Sequence, residues 1–266
     1  MGFVDFHCHV LPAIDDGARN DEQSRSAMRA FAAAGAAAVV ATPHFDASLV
    51  DQPERFAGRM ARIDEAFARL QAWSRIHVPA LALHRGVELK LDVPEPCADD
   101  ARLRLAGGPF VLVEFPGLTV PVQSVRPLTH LRAMGYCPIL AHPERYGGFD
   151  SGLRQARVWR DAGALLQVNA GSILGAYGPL ARRNAVALLA EGLVDYVCSD
   201  YHGRREIATV ELLEGAAPDE KSVYEQLVSV NPQRMLEGEG PLPVAPVQRR
   251  RWWQQVTRAL GKGERA

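Results

Sequence analysis

Seven short apolar runs, mostly alternating with segments of helical spacing, constrain this chain more than any other feature. They are Phe3–Phe6, Ala37–Ala41, Val78–Leu83, Phe110–Val113, Cys137–Ala141, Ala164–Val168 and Val194–Cys198. Near-continuous hydrophobic strands separated by helices predict a parallel sheet buried on both faces. Seven or eight such units close most simply into a barrel, whose active groups gather at the carboxyl ends of the strands. No Pro- or Gly-rich linker divides the set. The expected fold class is α/β, a single barrel.

The intervening helices carry their own punctuation. Asn20 caps a helix that runs to Gly35, with Glu22 early, where the dipole favours acid. From Gln52 to Ser74, the residues Phe56, Met60, Ile63, Phe67 and Leu70 repeat at helical spacing. Further helices are expected over Ser124–Gly135, Leu153–Gly163 and Pro179–Gly192, the last with Pro near its start and Gly just past its end. A final helix over Lys221–Val230 is expected to stop at Asn231-Pro232.

Six of the seven strands run into His, Asp or Glu. The first ends in His7 and His9, which lie two apart on an extended chain and so face one side. Leu11-Pro12 then breaks the strand, and Asp15-Asp16-Gly17 brings carboxylates back in a turn. Later strands end at His44, Glu88, Glu114, His142 and Ser199-Asp200-Tyr201-His202. A lone His-x-His also suits a partly buried strand with no ligand role, and it is the recurrence at later strand ends that points to a site. The candidate ligands are His7, His9, Asp16, His44, Glu88, Glu114, His142, Asp200 and His202. Imidazole with carboxylate suits Zn, Mn or Fe. Nine groups exceed the needs of one ion, since a catalytic zinc uses about three protein ligands. Two or three divalent ions sharing carboxylate bridges are therefore expected. Such clusters activate a bridging water and clamp the attacking and leaving oxygens of an in-line displacement. That chemistry is hydrolysis, most often at phosphorus. Cys8, between the two histidines, points away from them and reads as core. His77, His84 and His130 read as packing or surface residues.

Composition narrows the setting. The 266 residues are 47% apolar and 23% charged, which is ordinary for a soluble globular protein. A formal net charge of −1 provides no basic field for nucleic acid. Four scattered cysteines without a C-x-x-C pair fit a reduced, cytoplasmic compartment. A strand that begins at residue 3 leaves no room for a signal peptide. The longest apolar stretch, Phe31 to Thr42, is too short to span a bilayer.

The motifs F-H-C-H-V-L-P-A-I-D-D-G, A-T-P-H-F, R-G-V-E-L, V-E-F-P, A-H-P-E-R-Y, Q-V-N-A-G-S and C-S-D-Y-H-G, in this order, resemble the polymerase-and-histidinol-phosphatase (PHP) superfamily. Within it, D-D-G after the first strand and H-P-E-R-Y after the fifth resemble the bacterial capsular-polysaccharide tyrosine-protein phosphatases. The resemblance runs from residue 3 to about 236. It implies a distorted seven-stranded (β/α) barrel with a trinuclear, typically manganese-dependent site, Fe or Zn being the alternatives. It also implies a substrate, phosphotyrosine on an autophosphorylating bacterial tyrosine kinase that controls exopolysaccharide export.

Carried over by position, the family's ligands fall on the nine residues above. Glu88 would bridge two ions, with His7, His9 and Asp200 on one side and Glu114 and His142 on the other. Asp16, His44 and His202 would hold the third. Arg145 would bind phosphate at the mouth with its planar fork, the bland alternative being a surface pair with Glu144. Gly203 replaces the family's usual Asn, and Arg204-Arg205 come sooner than the expected substrate-binding Arg, so either could reach the phosphoryl oxygens. The implied mechanism is direct attack by a metal-bridging hydroxide. A tyrosine leaving group, of pKa about 10, departs without a strong general acid.

Two other readings share these residues. Cys198 and Arg204 satisfy the C-x5-R spacing of cysteine-nucleophile phosphatases, but Asp200 inside that loop would repel a phosphate dianion. A phosphatase for histidinol phosphate or another small phosphomonoester would keep the fold and change the substrate.

Composition shifts after residue 237, dividing a barrel over 1–237 from a tail over 238–266. Gly238 to Pro246 reads as an extended linker. Beyond it six basic residues face only Glu264, a net charge of +5, beside Trp252 and Trp253. If helical, this segment suits an anionic membrane surface, which would place the enzyme at the inner face of the membrane near its kinase. A disordered solubilising tail is the plainer reading.

Overall fold

The computed structural model describes residues 2–150, 152–203 and 207–247. Among them are nine strands: β1 (Phe3–Cys8), β2 (Ala36–Ala41), β3 (His44–Asp46), β4 (Ala82–Arg85), β5 (Glu88–Lys90), β6 (Phe110–Glu114), β7 (Cys137–Ala141), β8 (Leu165–Asn169) and β9 (Tyr196–Cys198). All pair in parallel, in the orders β1-β2-β4 and β3-β5-β6-β7-β8-β9. The α/β class and the parallel pairing agree with the sequence.

The seven expected strands become nine because the second and third are each followed by a further three-residue strand. Pro43 has no N–H to continue β2, so the chain kinks at Thr42-Pro43 and resumes pairing as β3. The third strand kinks at Gly86-Val87 and resumes as β5. Two hydrogen bonds carry the pairing across the kinks: Gly86 donates to the Ala41 carbonyl and Glu88 to the Pro43 carbonyl, each at 3.0 Å. A Cβ at Gly86 would approach Leu105 to 3.1 Å and Val40 to 3.3 Å. The kinks place His44 and Glu88 opposite one another as register partners.

Alternate residues of each strand feed two apolar clusters. On β6, Val111 and Val113 pack on the helix side, while Phe110 and Leu112 join Phe6, Val40, Ile139 and Tyr196 on the other side. Phe6 meets Tyr196 edge to face at 5.0 Å. Met235 also enters this second cluster.

The helices follow the expected plan with one correction. α1 (Asp21–Ala33) is capped by Asn20, whose side chain accepts from the Gln23 amide. α2 (Pro53–His77), α3 (Val125–Ala133), α4 (Arg154–Asp161) and α6 (Pro179–Ala190) match their sequence patterns. α5 (Ala170–Leu174) and α7 (Ala208–Gly215) are too short to show periodicity. α8 (Pro218–Glu225) does not stop at Asn231-Pro232. It widens into a π turn over Gln226–Val230 and continues as α9 (Asn231–Leu236). Pro232 has no N–H to give, and the carbonyl it would have paired with, that of Val228, falls within the wider turn.

Residues 238–247 are extended and lie against the body. Leu242 donates to Asn231 Oδ1 at 2.9 Å, Asn231 Nδ2 donates to the Leu242 carbonyl at 3.1 Å, and Val247 donates to the Leu189 carbonyl. The basic tail, residues 248–266, lies outside the described residues, as do Arg204 and Arg205. Among the described residues no helix is long and apolar enough to cross a membrane.

Candidate metal centre

The nine candidate ligands come together at the carboxyl ends of the strands. Parallel pairing brings this about, because every strand of a parallel sheet delivers its last residue to the same edge. They form overlapping groups: His7, Glu88 and His142; His7, His9 and Asp200; His44, Glu88 and Glu114; and His9, Asp16, His44 and His202. Glu88 lies at the centre and is fully buried. Its Oε2 stands 3.3 Å from His7 Nε2, 3.4 Å from His9 Nε2 and 3.0 Å from His44 Nδ1. Its Oε1 stands 2.9 Å from His142 Nε2. His44 Nδ1 is also 3.1 Å from Glu114, and Asp16 Oδ1 is 3.2 Å from His202 Nε2.

Two ligand residues adopt left-handed backbone, His142 at φ 38° and Asp200 at φ 52°. Asp and His enter this region more readily than bulky residues, and such conformations concentrate at functional sites. The Asp200 amide donates to the His7 carbonyl at 3.0 Å, and the His9 amide donates to the Tyr201 carbonyl at 2.8 Å. These bonds tie the end of β1 to the segment after β9.

Behind the cluster lies a supporting layer that sequence reading missed. The His9 ring bonds through Nδ1 to Asp15 at 2.8 Å, so the upstream aspartate of the D-D pair is the one turned inward. Asp15 also accepts from the His44 amide. His7 Nδ1 meets Gln167 Oε1 at 2.8 Å, Gln167 donates to Asn169, and Asn169 Nδ2 donates to Asp200 Oδ2 at 2.7 Å. Each contact fixes a ring or carboxylate and leaves a lone pair facing the cluster, as outer partners of metal ligands do. Arg59 donates to the Ile14 and His44 carbonyls and so holds two ligand loops together. Asn169 ends the one strand without a His, Asp or Glu, and its neighbourhood shows why it belongs to the site. Arg145 pairs with Asp200 rather than with Glu144, which is buried and accepts from the Asn169 amide.

The electrostatics follow from packing so many like and unlike groups together. Burial pushes the Glu88 carboxyl up, but His7, His142 and His44 overcome it and hold Glu88 well below the usual range. Asp200 is likewise held down, against burial, by His7 and His9. Burial pulls His44 down, yet Glu114 and Glu88 raise it to about 10. His9 is raised in the same way by Asp15, Asp200 and Glu88. Cys198 shows the opposite of an activated nucleophile. Burial, then Asp5, push its thiol well above the ordinary range, where the thiolate is unavailable.

Whether the residues fit metal ions can be judged from their unsatisfied atoms. His7 Nε2, His9 Nε2, His44 Nδ1 and Glu88 Oε2 are all buried and lack a hydrogen-bond partner. Buried polar atoms are ordinarily paired, and unpaired ones call for an explanation. Two ligands each about 2.1 Å from one ion stand roughly 3–3.5 Å apart, which is the spacing around Glu88 Oε2. The donor set, imidazole and carboxylate without thiolate, suits Zn, Mn or Fe. The residues fit.

A parallel α/β protein carrying a buried histidine–carboxylate cluster at its strand ends is the class that fold and site define. A family profile described as capsular polysaccharide synthesis, CpsB/CapC, matches residues 3–237, and the chain belongs to that family. It is 28% identical over 256 residues to the tyrosine-protein phosphatase YwqE of Bacillus subtilis, covering 93% of this chain and 98% of the relative. It is 25% identical over 206 residues to the tyrosine-protein phosphatase CpsB of Streptococcus pneumoniae, covering 75% of this chain and 82% of the relative. A crystal structure from work on YwqE and CpsB, described there as unique metal-dependent tyrosine phosphatases, superposes with a TM-score of 0.75 at 25% identity. The match covers 92% of this chain and all of the other.

Proposed function

We propose that this chain is a metal-dependent protein-tyrosine phosphatase of capsule or exopolysaccharide synthesis. The observation that carries the reading is the set of buried imidazole and carboxylate atoms that converge around Glu88 without a hydrogen-bond partner. The relatives named tyrosine-protein phosphatases supply the substrate class. The nine residues would hold two or three divalent ions, manganese first among them. Such ions, when bound, activate water at neutral pH and offset charge on phosphoryl oxygens. Arg145 presents its guanidinium to the phosphoryl oxygens, and Asp200 holds it beside the cluster. Arg204 and Arg205 are the candidates for a second phosphate contact. Tyrosine leaves without a strong general acid, which the site would otherwise have to provide.

The finer architecture belongs to the same reading. The strands form a distorted seven-unit barrel of PHP type, supported by the hydrogen bonds linking β1 to the segment after β9. The phosphoprotein is an autophosphorylated bacterial tyrosine kinase, met at the inner face of the membrane through the basic tail. Loss of vesicle binding on truncation after Val247 tests that last step.

The test of the function is phosphate release from a phosphotyrosine peptide after metals are stripped, with and without added Mn²⁺. Manganese-restored turnover is expected. Activity that survives a chelator and disappears in Cys198→Ser would overturn the reading in favour of cysteine chemistry. Failure on phosphotyrosine with metal bound would turn it towards small phosphomonoesters.

A further inference from the structure

Beside the cluster a cavity of about 260 Å³ opens between the segment after β9 and the turn joining α5 to α6. Its lining combines Asp16, Asp200, His202 and Arg145 with Gly171, Ala176, Tyr177 and Ala208. Charged groups, Arg145 among them, thus share the cavity with small apolar residues and the Tyr177 ring. Clefts for drug-sized ligands measure about 300–1,000 Å³, so this one suits a single side chain.

Tyr177 is placed there by its turn. Gly175 and Gly178 bracket it at φ 92° and 91°, a conformation open to glycine. The Ala176 amide donates to the Gly171 carbonyl at 2.8 Å and folds the turn back on α5. The ring then lies over Gly171, where an added Cβ would come within 2.9 Å of Tyr177 Cε2. Arg145 stacks on the ring, its Cζ 4.2 Å from the centroid. One face of the guanidinium is thus held by an aromatic surface while Nη1 is held by Asp200.

We infer that Tyr177 is a specificity-determining residue, which receives the phenyl ring of the phosphotyrosine leaving group while Arg145 and the cluster take its phosphoryl end. The inference rests on the phosphatase reading above and adds the part of the site that reads the ring. With the phosphoryl group held by Arg145 beside the cluster, a flat ring entering the cavity meets the part of the Tyr177 ring that Arg145 leaves uncovered, at stacking or edge distance. An aliphatic phosphoserine side chain has no ring to offer Tyr177. Gly171 serves the same end by letting the Tyr177 ring lie close to α5.

The experiment compares the Mn²⁺-loaded wild type with Tyr177→Ala, Tyr177→Phe and Gly171→Ala, using a phosphotyrosine peptide, p-nitrophenyl phosphate and acetyl phosphate. The two aryl esters carry a ring, whereas acetyl phosphate has a good leaving group without one. Tyr177→Ala should raise KM for the peptide about fivefold, the scale of one lost aromatic contact, and lower the preference for aryl over acetyl phosphate by a similar factor. Tyr177→Phe should restore both. Gly171→Ala keeps a good helix former in α5 yet displaces the ring, and should move both quantities the same way as Tyr177→Ala. Unchanged KM and unchanged preference in Tyr177→Ala, with the wild type active on the peptide, would overturn the inference and leave the phosphatase reading standing. A metal-loaded wild type that hydrolyses neither aryl ester would overturn both.

Discussion

Arg145 Nη1 donates to Oδ2 of Asp200 at 2.7 Å, and Asn169 Nδ2 donates to the same oxygen at 2.7 Å. Asp200 therefore turns one oxygen to two donors and the other to the imidazoles. Its Oδ1 lies 3.4 Å from His7, 3.5 Å from His9 and 3.4 Å from His202. One carboxylate thus joins the phosphate-binding side of the site to the ligand side.

That division predicts separable defects. Arg145→Lys retains a charge but loses the planar fork and the stacking on Tyr177. Its kcat on a phosphotyrosine peptide should fall about a hundredfold, while the bound metal, measured by elemental analysis, stays at the wild-type stoichiometry. Asp200→Ala should lose both activity and metal. An Arg145→Lys enzyme with wild-type kcat would remove Arg145 from phosphate binding.

Asp15 tests the supporting layer. It touches His9 Nδ1 and the His44 amide, and burial has not stopped the His9 pair from holding its carboxyl far down. Asp15→Asn preserves size but removes the charge that orients His9. Metal affinity should weaken about 10–100-fold, read as a shift in the Mn²⁺ concentration that restores activity to stripped protein. An unshifted titration would show that Asp15 only packs the loop.

Much of this was legible in the sequence because parallel strands that end in ligands leave two superposed signals, an apolar run and a polar stop. The supporting layer left motif residues but no sign of their contacts. Gln167 lies within an apolar strand and Asn169 at its end, inside the Q-V-N-A-G-S motif, which does not say what either side chain touches, and Asp15 is indistinguishable from Asp16 until the turn shows which one faces inward. The kinks at Pro43 and Gly86 read as strand ends, so the three-residue β3 and β5 were invisible although they carry His44 and Glu88. Tyr177 lies between two glycines, where only a known turn can say what the ring reaches. Asn231-Pro232 has the appearance of a helix stop, and the π turn that carries the helix through it depends on tertiary packing.

Asn231 itself yields a stability prediction. It is buried, and its side chain donates to the Asp195 and Leu242 carbonyls and accepts from the Leu242 amide. Asn231→Ala would leave those groups unpaired at a cost of about 2 kcal/mol, lowering Tm by roughly 4–8 °C. Activity at 25 °C should persist, because the contact lies at the start of β9, at the opposite end from Asp200. A variant that melts like the wild type would show that residues 238–247 are not held by this side chain.

Protons and metal ions compete for the same atoms, and this sets a pH dependence with a definite sign. In the metal-free protein His44 is raised to about 10, against its burial, by Glu114 and Glu88. A histidine with a raised pKa stabilises fully below its unfolded value of about 6.5, and that contribution is lost as pH rises towards 10. Glu88 and Asp200 are depressed, so theirs is present above about pH 4 and lost in acid. Chelated protein should therefore be most stable near pH 5 to 6.5, and its Tm should fall from pH 7 to 10. Metal binding displaces those protons and strengthens as pH rises. The gap in Tm between Mn²⁺-loaded and chelated protein should widen from pH 6 to pH 9, measured by thermal unfolding at constant ionic strength. A gap that does not change with pH would mean that His44 and the carboxylates around it are not where the ions bind.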